Sequence, residues 1–381
     1  MFNIPFNRPH VTGREVQYIA EACDRGHLSG DGLFTGRCQR WLEEATGATR
    51  ALLTTSGTSA LEMTAILADI GPGDEVIMPS YTFSSSANAF VLRGGVPVFI
   101  DIRPDTMNMD EALIEAAVTP RTRAIMVMHY AGVPCDMEPI MAVAERHNLV
   151  VIEDAAQGLL SSYRGRPVGG IGHMAAFSFH ETKNIIAGEG GAILINDPRV
   201  VQRAEIIREK GTNRTAFHRG ETDKYTWVDL GSSFLPSEII AAFLWAQLEG
   251  AKEITARRLA LWNRYHERFA PLEAAGLARR PICPDDTVSN GHIYYLLLPS
   301  REKRDALIAS LRAVGIMAVF HYIPLHSAPA GTRFGRANGA MTHTDDLSHR
   351  LVRLPLWVDL GDRLDEVAGH VLRILGAGDA S

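Results

Sequence analysis

Only four of the 381 residues are cysteine, and Cys23, Cys38, Cys135 and Cys283 form no C-x-x-C pair. Scattered thiols of this kind suit a reducing compartment and point away from both a disulfide framework and a thiolate zinc site. Equally absent is an apolar run long enough to span a bilayer. The N-terminus has no basic segment leading into an apolar one, so no secretory signal is expected and the expected location is cytoplasmic. Long Lys/Arg runs are missing too, and a net charge of −6 argues against a nucleic-acid surface. There is no Walker A loop, no G-x-S-x-G elbow and no G-x-G-x-x-G after a strand. Internal repeats and low-complexity segments are likewise lacking.

What remains is an ordinary globular composition, 46% hydrophobic and 22% charged, in a chain long enough for a large core and two domains. From about residue 50, strand-like and helix-like segments alternate. Residues 51–54, 75–78, 98–100, 124–127 and 150–152 read as buried strands. Helical spacing covers 58–70, 84–92, 111–117 and 137–147, with stops at Gly71-Pro72-Gly73 and Gly94-Gly95. Continuous apolar strands separated by helices imply an α/β fold with a mostly parallel sheet covered on both faces. Helix formers then dominate 238–273. Beyond them a strand is expected at 292–298, a helix at 301–314, a strand at 317–320 and a last helix at 364–375. The expected division is a large domain over 1–250 and a smaller C-terminal α/β domain over 251–381.

In parallel sheets, ligands gather beyond the carboxyl ends of strands. Asp154, closing Val151-Ile152-Glu153-Asp154-Ala155-Ala156-Gln157, holds such a place, as does the turn Thr54-Thr55-Ser56-Gly57-Thr58. A carboxylate ending an apolar strand is costly without a cation, although an Asp there also caps turns. Strand, glycine turn and a helix opening on Thr58 and Ser59 supply free amides, hydroxyls and a positive dipole end, which suit a phosphate. The same residues also make a plain helix N-cap. Downstream lies Phe177-Ser178-Phe179-His180-Glu181-Thr182-Lys183-Asn184, followed by Gly188-Glu189-Gly190-Gly191. Isolated lysines are normally solvated surface charges, but Lys183 sits among aromatic and small residues. An amine, a buried carboxylate and a phosphate cradle together point to pyridoxal phosphate (PLP) chemistry. That chemistry needs an amine to condense with the cofactor aldehyde and a carboxylate to keep the pyridine nitrogen protonated. Gln157 would reach the ring hydroxyl, Phe83 would cover one ring face, and Ser178 would donate to the phosphate; an aromatic after a strand is otherwise simply core. His180, His321 and His326 lack the ligand spacing of a metal site, so no metal is expected and a substrate or structural role is favoured.

Taken together, these segments resemble the DegT/DnrJ/EryC1/StrS sugar aminotransferases, a branch of the fold type I PLP enzymes. The likeness runs over nearly the whole chain and includes Gly30-Asp31-Gly32, Pro79-Ser80-Tyr81-Thr82-Phe83, Arg208 to Arg214, Asp223 to Trp227 and His321 to His326. It implies an aspartate aminotransferase-like large domain with a seven-stranded, mostly parallel sheet. It also implies that Lys183 bonds to PLP, Asp154 pairs with the ring nitrogen, and Thr58, Ser59 and Ser178 hold the phosphate. Many relatives complete that phosphate site with an asparagine from a neighbouring subunit; here Gly231-Ser232-Ser233-Phe234-Leu235 stands in its place, with Ser233 as a shorter donor. His180, Tyr322 and His326 are the expected sugar-nucleotide contacts. The reaction implied takes an amino group from L-glutamate to C4 of dTDP-4-dehydro-6-deoxy-D-glucose, in a homodimer with sites at the subunit interface. Relatives with histidine at the lysine position are dehydratases, so Lys183 favours transamination. Another keto-sugar nucleotide as acceptor, or a non-enzymatic binding role on the same fold, are the alternatives.

Overall fold

The computed structural model describes residues 2–376. Its centre is an eight-stranded sheet with the order Arg50–Thr54, Gly191–Ile195, Met174–Ser178, Val150–Asp154, Thr122–Met128, Glu75–Pro79, Val96–Ile100 and Arg336–Ala337. Seven strands lie within residues 50–195, as expected. The eighth, only two residues long, arrives from the C-terminal part and pairs in parallel with Val98 and Phe99. Gly191–Ile195 alone runs antiparallel to its neighbours.

The two-residue period of a strand distributes its side chains to opposite faces. Val76, Met78, Phe99, Ala124 and Met126 pack on one face with the helices Gly57–Leu67 and Ser84–Val91. Ile77, Val98, Ile100, Ile125 and Val127 pack on the other with Met137–His147. Nearer the opposite edge, Ala51, Leu53, Phe177 and Leu194 meet the helices Glu15–Asp24, Leu33–Thr46 and Glu238–Glu249. Both faces are dry, which is why these strands read as unbroken apolar runs.

A separate apolar core joins Leu261, Tyr265, Phe269, Leu296, Leu311, Val352 and Ile4. The helix Arg363–Leu375 belongs to it, burying Leu364, Val367, Ala368, Val371 and Leu372 at helical spacing. Truncating a buried leucine such as Leu311 to alanine is expected to cost about 2–5 kcal/mol. The stretch 238–273 is helical, as its composition indicates, in three pieces: Glu238–Glu249 and Ala251–Arg268 meet at Gly250, and the chain then turns into Ala270–Ala274. Two expectations need amendment. Residues 317–320 make no strand, because Met317 bonds the Ile4 carbonyl and only Val319 meets Arg353, in a single antiparallel bridge. The strand at 292–298 shortens to Tyr295–Leu297, paired with Leu351–Arg353.

Candidate active site

The strands Thr122–Met128, Val150–Asp154 and Met174–Ser178 are in register, so that Met128, Asp154 and Ala176 lie side by side near their carboxyl ends. Strand alternation sends Glu153 and Asp154 to opposite faces. Glu153 accepts from the amides of Gly169 (2.9 Å), Ile171 (2.9 Å) and Gly172 (2.6 Å) and from His129 Nε2 (2.9 Å). His129 Nδ1 accepts from the Cys135 amide, which places the ring proton on Nε2. Glu153 is thereby a fully bonded structural carboxylate. Asp154 instead faces a cavity of about 710 Å³. Its Oδ2 accepts from Ser86 Oγ at 2.6 Å and its Oδ1 from the Ala156 amide at 3.2 Å.

Lys183 reaches the same cavity from the loop after Met174–Ser178. That loop is tied by its own backbone: Phe179 bonds Gly190, Ala187 bonds Phe179, and the Lys183 amide donates to the His180 carbonyl at 2.9 Å. Loss of water lowers the lysine's pKa to about 8, Asp154 opposes the change, and the Arg353 charge adds to it. An amine so placed is neutral in a useful fraction near physiological pH, as a nucleophile or proton acceptor requires.

The helix Gly57–Leu67 opens onto the cavity, with Ser56 as its cap; Ser56 Oγ accepts from the Ser59 amide at 3.0 Å. The simple capping expectation therefore holds for Ser56. Thr58 lines the cavity, its hydroxyl 2.8 Å from Ser85 Oγ, and so does Ser178. Ser59 turns its hydroxyl onto Thr55 and Ser56 and is not part of the lining. Two glycines bring these segments together. A Cβ on Gly57 would sit 2.9 Å from Ser178 Cβ, and one on Gly191 only 2.3 Å from the Ser56 carbonyl carbon. The first-turn amides thus face open space beside two hydroxyls, a geometry fit for a phosphate.

Phe83 caps the helix Ser84–Val91 and leaves 56% of its surface open toward the cavity, available to cover an aromatic ligand. Gln157 is fixed at both amide ends: Oε1 accepts from the Ala131 amide at 2.7 Å, and Nε2 donates to Tyr322 Oη at 2.8 Å. Tyr322 stacks on His321 with ring centres 3.7 Å apart, and His321 Nδ1 shares a hydrogen bond with Tyr130 Oη. His180 stands at the rim, 2.9 Å from Thr182 Oγ1 and 3.6 Å from Glu189. His326 lies outside the lining, held by Ser80 Oγ at 2.7 Å with Asp345 beyond. Ser233 is exposed and pairs by backbone with Glu209, also away from the cavity. Among the described residues no three His, Cys, Asp or Glu side chains converge as a metal site, and no helix is long and apolar enough to cross a membrane.

Sequence reasoning missed part of the cavity wall. His292, Arg258 and Arg353 line it from segments far along the chain, and no local motif announces them. His292 Nδ1 lies 2.9 Å from Asn184 Oδ1, and Asn184 Nδ2 donates to the Asn290 carbonyl, so the imidazole carries its proton on Nδ1. Burial, with Lys183, Arg258 and Arg353 nearby, holds this histidine neutral. An amine, an opposed carboxylate, a helix-end cradle and an exposed aromatic face fit PLP, each group matching one part of that cofactor.

Comparison with known proteins gives a consistent result. The model of the DegT/DnrJ/EryC1/StrS aminotransferase family matches residues 9–372. GDP-perosamine synthase of Caulobacter vibrioides is 36% identical over 328 residues, covering 84% of this chain and 85% of the relative. The aminotransferase TlmJ of Streptoalloteichus hindustanus superposes with a TM-score of 0.89 at 27% identity, over 99% of both chains. The putative sugar aminotransferase Spr1654 of Streptococcus pneumoniae, in its PLP form, gives 0.87 at 26% identity over 99% of both.

Proposed function

Because the chain belongs to the DegT/DnrJ/EryC1/StrS aminotransferase family, we propose that it moves an amino group from L-glutamate to C4 of dTDP-4-dehydro-6-deoxy-D-glucose, with PLP as cofactor. The product is then dTDP-4-amino-4,6-dideoxy-D-galactose. The observation that carries this reading is the meeting of Lys183, Asp154 and the Gln157–Tyr322 pair in one cavity at the strand ends. When bound, PLP supplies an aldehyde that condenses with amines and a protonated ring that withdraws electrons.

The chain's own residues divide the remaining work. Asp154, oriented by Ser86 and the Ala156 amide, holds the proton on the ring nitrogen. Lys183 Nζ anchors the cofactor at rest and afterwards takes the proton from the donor's α-carbon; its lowered pKa suits a base that must also give the proton back. Thr58, Ser178 and the first-turn amides bind the phosphate, Phe83 covers the ring, and Gln157 donates to the ring hydroxyl. Tyr322 and His180 are placed to touch the sugar nucleotide.

A homodimer belongs to the same reading. Tyr225, Trp227, Val228 and Leu230 form an exposed apolar set in the segment that includes Ser233, and such sets mark interfaces. Residues 1–250 serve as the cofactor-binding unit and 251–381 as the smaller one, supported by the latter's separate apolar core. A cytoplasmic site of action suits a sugar-nucleotide biosynthetic enzyme. The 36% identity with GDP-perosamine synthase favours a GDP-linked keto sugar as the second reading. Incubating the PLP-loaded protein with L-glutamate and a panel of dTDP- and GDP-linked keto sugars, with NMR of the products, decides between them. Amination of none of them would refute the proposed function.

A further inference from the structure

Asn108 is buried, at 2% exposure, and does not line the cavity, yet all three bonds of its side chain go to the turn 130–134. Its Oδ1 accepts from the Tyr130 amide at 2.8 Å, and its Nδ2 donates to the carbonyls of Val133 and Pro134, both at 3.0 Å. The turn needs such a clamp. Ala131 sits at φ 57° and Gly132 at φ 82°, and a left-handed backbone is unfavourable for a residue with a Cβ. Gly132 has no larger substitute, because a Cβ there would lie 2.0 Å from Asn290 Oδ1.

This turn sets both ends of Gln157. Directly, the Ala131 amide donates to Gln157 Oε1 at 2.7 Å. Indirectly, Tyr130 Oη bonds His321 Nδ1 at 2.7 Å, and the His321 ring stacks on Tyr322, whose Oη accepts from Gln157 Nε2 at 2.8 Å. The two contacts are not equivalent. A tyrosine hydroxyl both donates and accepts, so Tyr322 would tolerate either end of the carboxamide. A backbone N–H only donates, so Ala131 admits the oxygen alone and leaves the NH2 group on the cavity side. The ring oxygen of PLP calls for a donor, and a flipped carboxamide would present it with an acceptor.

We propose that Asn108 is a positioning residue for the cofactor: by clamping the turn 130–134 it fixes which end of Gln157 meets the ring oxygen of PLP. This assignment rests on the placing of Gln157 at that oxygen in the reading above, and it adds the residue that decides the sense of the contact. Asn108 touches neither cofactor nor substrate and acts through the Ala131 amide.

The test compares two ligands on the cofactor-free protein: PLP, and 3-deoxypyridoxal phosphate, which lacks only the ring hydroxyl. Both carry the phosphate and the aldehyde that bonds Lys183, so their affinities differ through the ring oxygen. Asn108→Ala should weaken PLP binding about fivefold, as expected for one oriented hydrogen bond, and change that of the deoxy analogue by less than about twofold. Gln157→Leu should give the same pattern. The double variant should lose no more than either single one, because both act on one contact. Asn108→Ser, which keeps a hydroxyl, should fall between wild type and Asn108→Ala, and it carries the test should the alanine variant not fold. Equal weakening of both ligands would make Asn108 a scaffold residue only and overturn the proposal. No change in either ligand, or losses that multiply in the double variant, would do the same. Failure of the underlying reading looks different: Gln157→Leu alone would bind PLP as tightly as wild type, and the assignment of Asn108 would fall with that of Gln157.

Discussion

The cavity has two sides of different origin. Its floor comes from consecutive strand ends and turns within residues 54–191, where Asp154, Thr58, Ser178 and Lys183 are each set by local backbone. Its wall comes from residues 258–356, where His292, Tyr322 and Arg353 are brought in by tertiary packing and by bonds to distant partners. On the proposed reading, the floor carries the groups that any transamination requires. On the same reading, the wall carries the groups that select what is transaminated. Changes to the floor should therefore abolish chemistry, whereas changes to the wall should alter preference.

The strongest trial of that contrast is Lys183→Ala. Turnover should fall by at least ~10³-fold, because the base and the anchoring amine vanish together, while the protein still takes up PLP, as a cofactor band retained on gel filtration would reveal. Normal turnover would remove Lys183 from the mechanism. Asp154→Asn comes next, with an expected loss of about 10²-fold, since a neutral amide cannot hold the ring proton; steady-state rates near wild type would show that the carboxylate is dispensable. On the wall, Tyr322→Phe deprives Gln157 Nε2 of its partner, costing roughly 1 kcal/mol and hence only a few-fold in kcat/KM. A loss rivalling that of Asp154→Asn would erase the distinction between the two sides.

The smallest effect concerns pH. The amine of Lys183 has its pKa lowered from 10.5 to about 8, so below pH 8 it is mostly protonated and unreactive. The rate at which cofactor-free protein captures PLP should climb from pH 7 to 9 with a midpoint near 8. Asp154 raises this pKa, so Asp154→Asn should shift the midpoint lower. A midpoint near that of free lysine would mean that the amine is not desolvated.

The same contrast explains which parts of the site are legible in the sequence. Lys183, Asp154 and Gln157 fall in contiguous motifs at the ends of apolar strands, and a strand end is a position that periodicity reveals. Glu153 and Asp154 are adjacent in sequence yet opposite in role, and only the two-residue alternation separates the structural carboxylate from the one facing the cavity. Arg258, His292 and Arg353 carry no local signal, because only tertiary packing brings them to the cavity. His326 illustrates the converse. Its motif is conspicuous, but Ser80 and Asp345 engage its ring outside the cavity. Residues 317–320 have strand composition yet form one bridge, since their neighbours are the N-terminal Ile4 and the single residue Arg353.

The late strand Arg336–Ala337 ties this arrangement to the order of synthesis. It zips onto the sheet's outer edge at Val98 and Phe99, and Arg336 also reaches Glu75. Lys183 leaves the ribosome near mid-chain, when neither this clasp nor Arg353 has yet been made. A nascent chain thus holds an ordinary protonated lysine with no enclosure around it, and the amine acquires its lowered pKa only as the final segment docks. Cofactor uptake should therefore be a late event in maturation, detectable as a lag behind formation of the sheet.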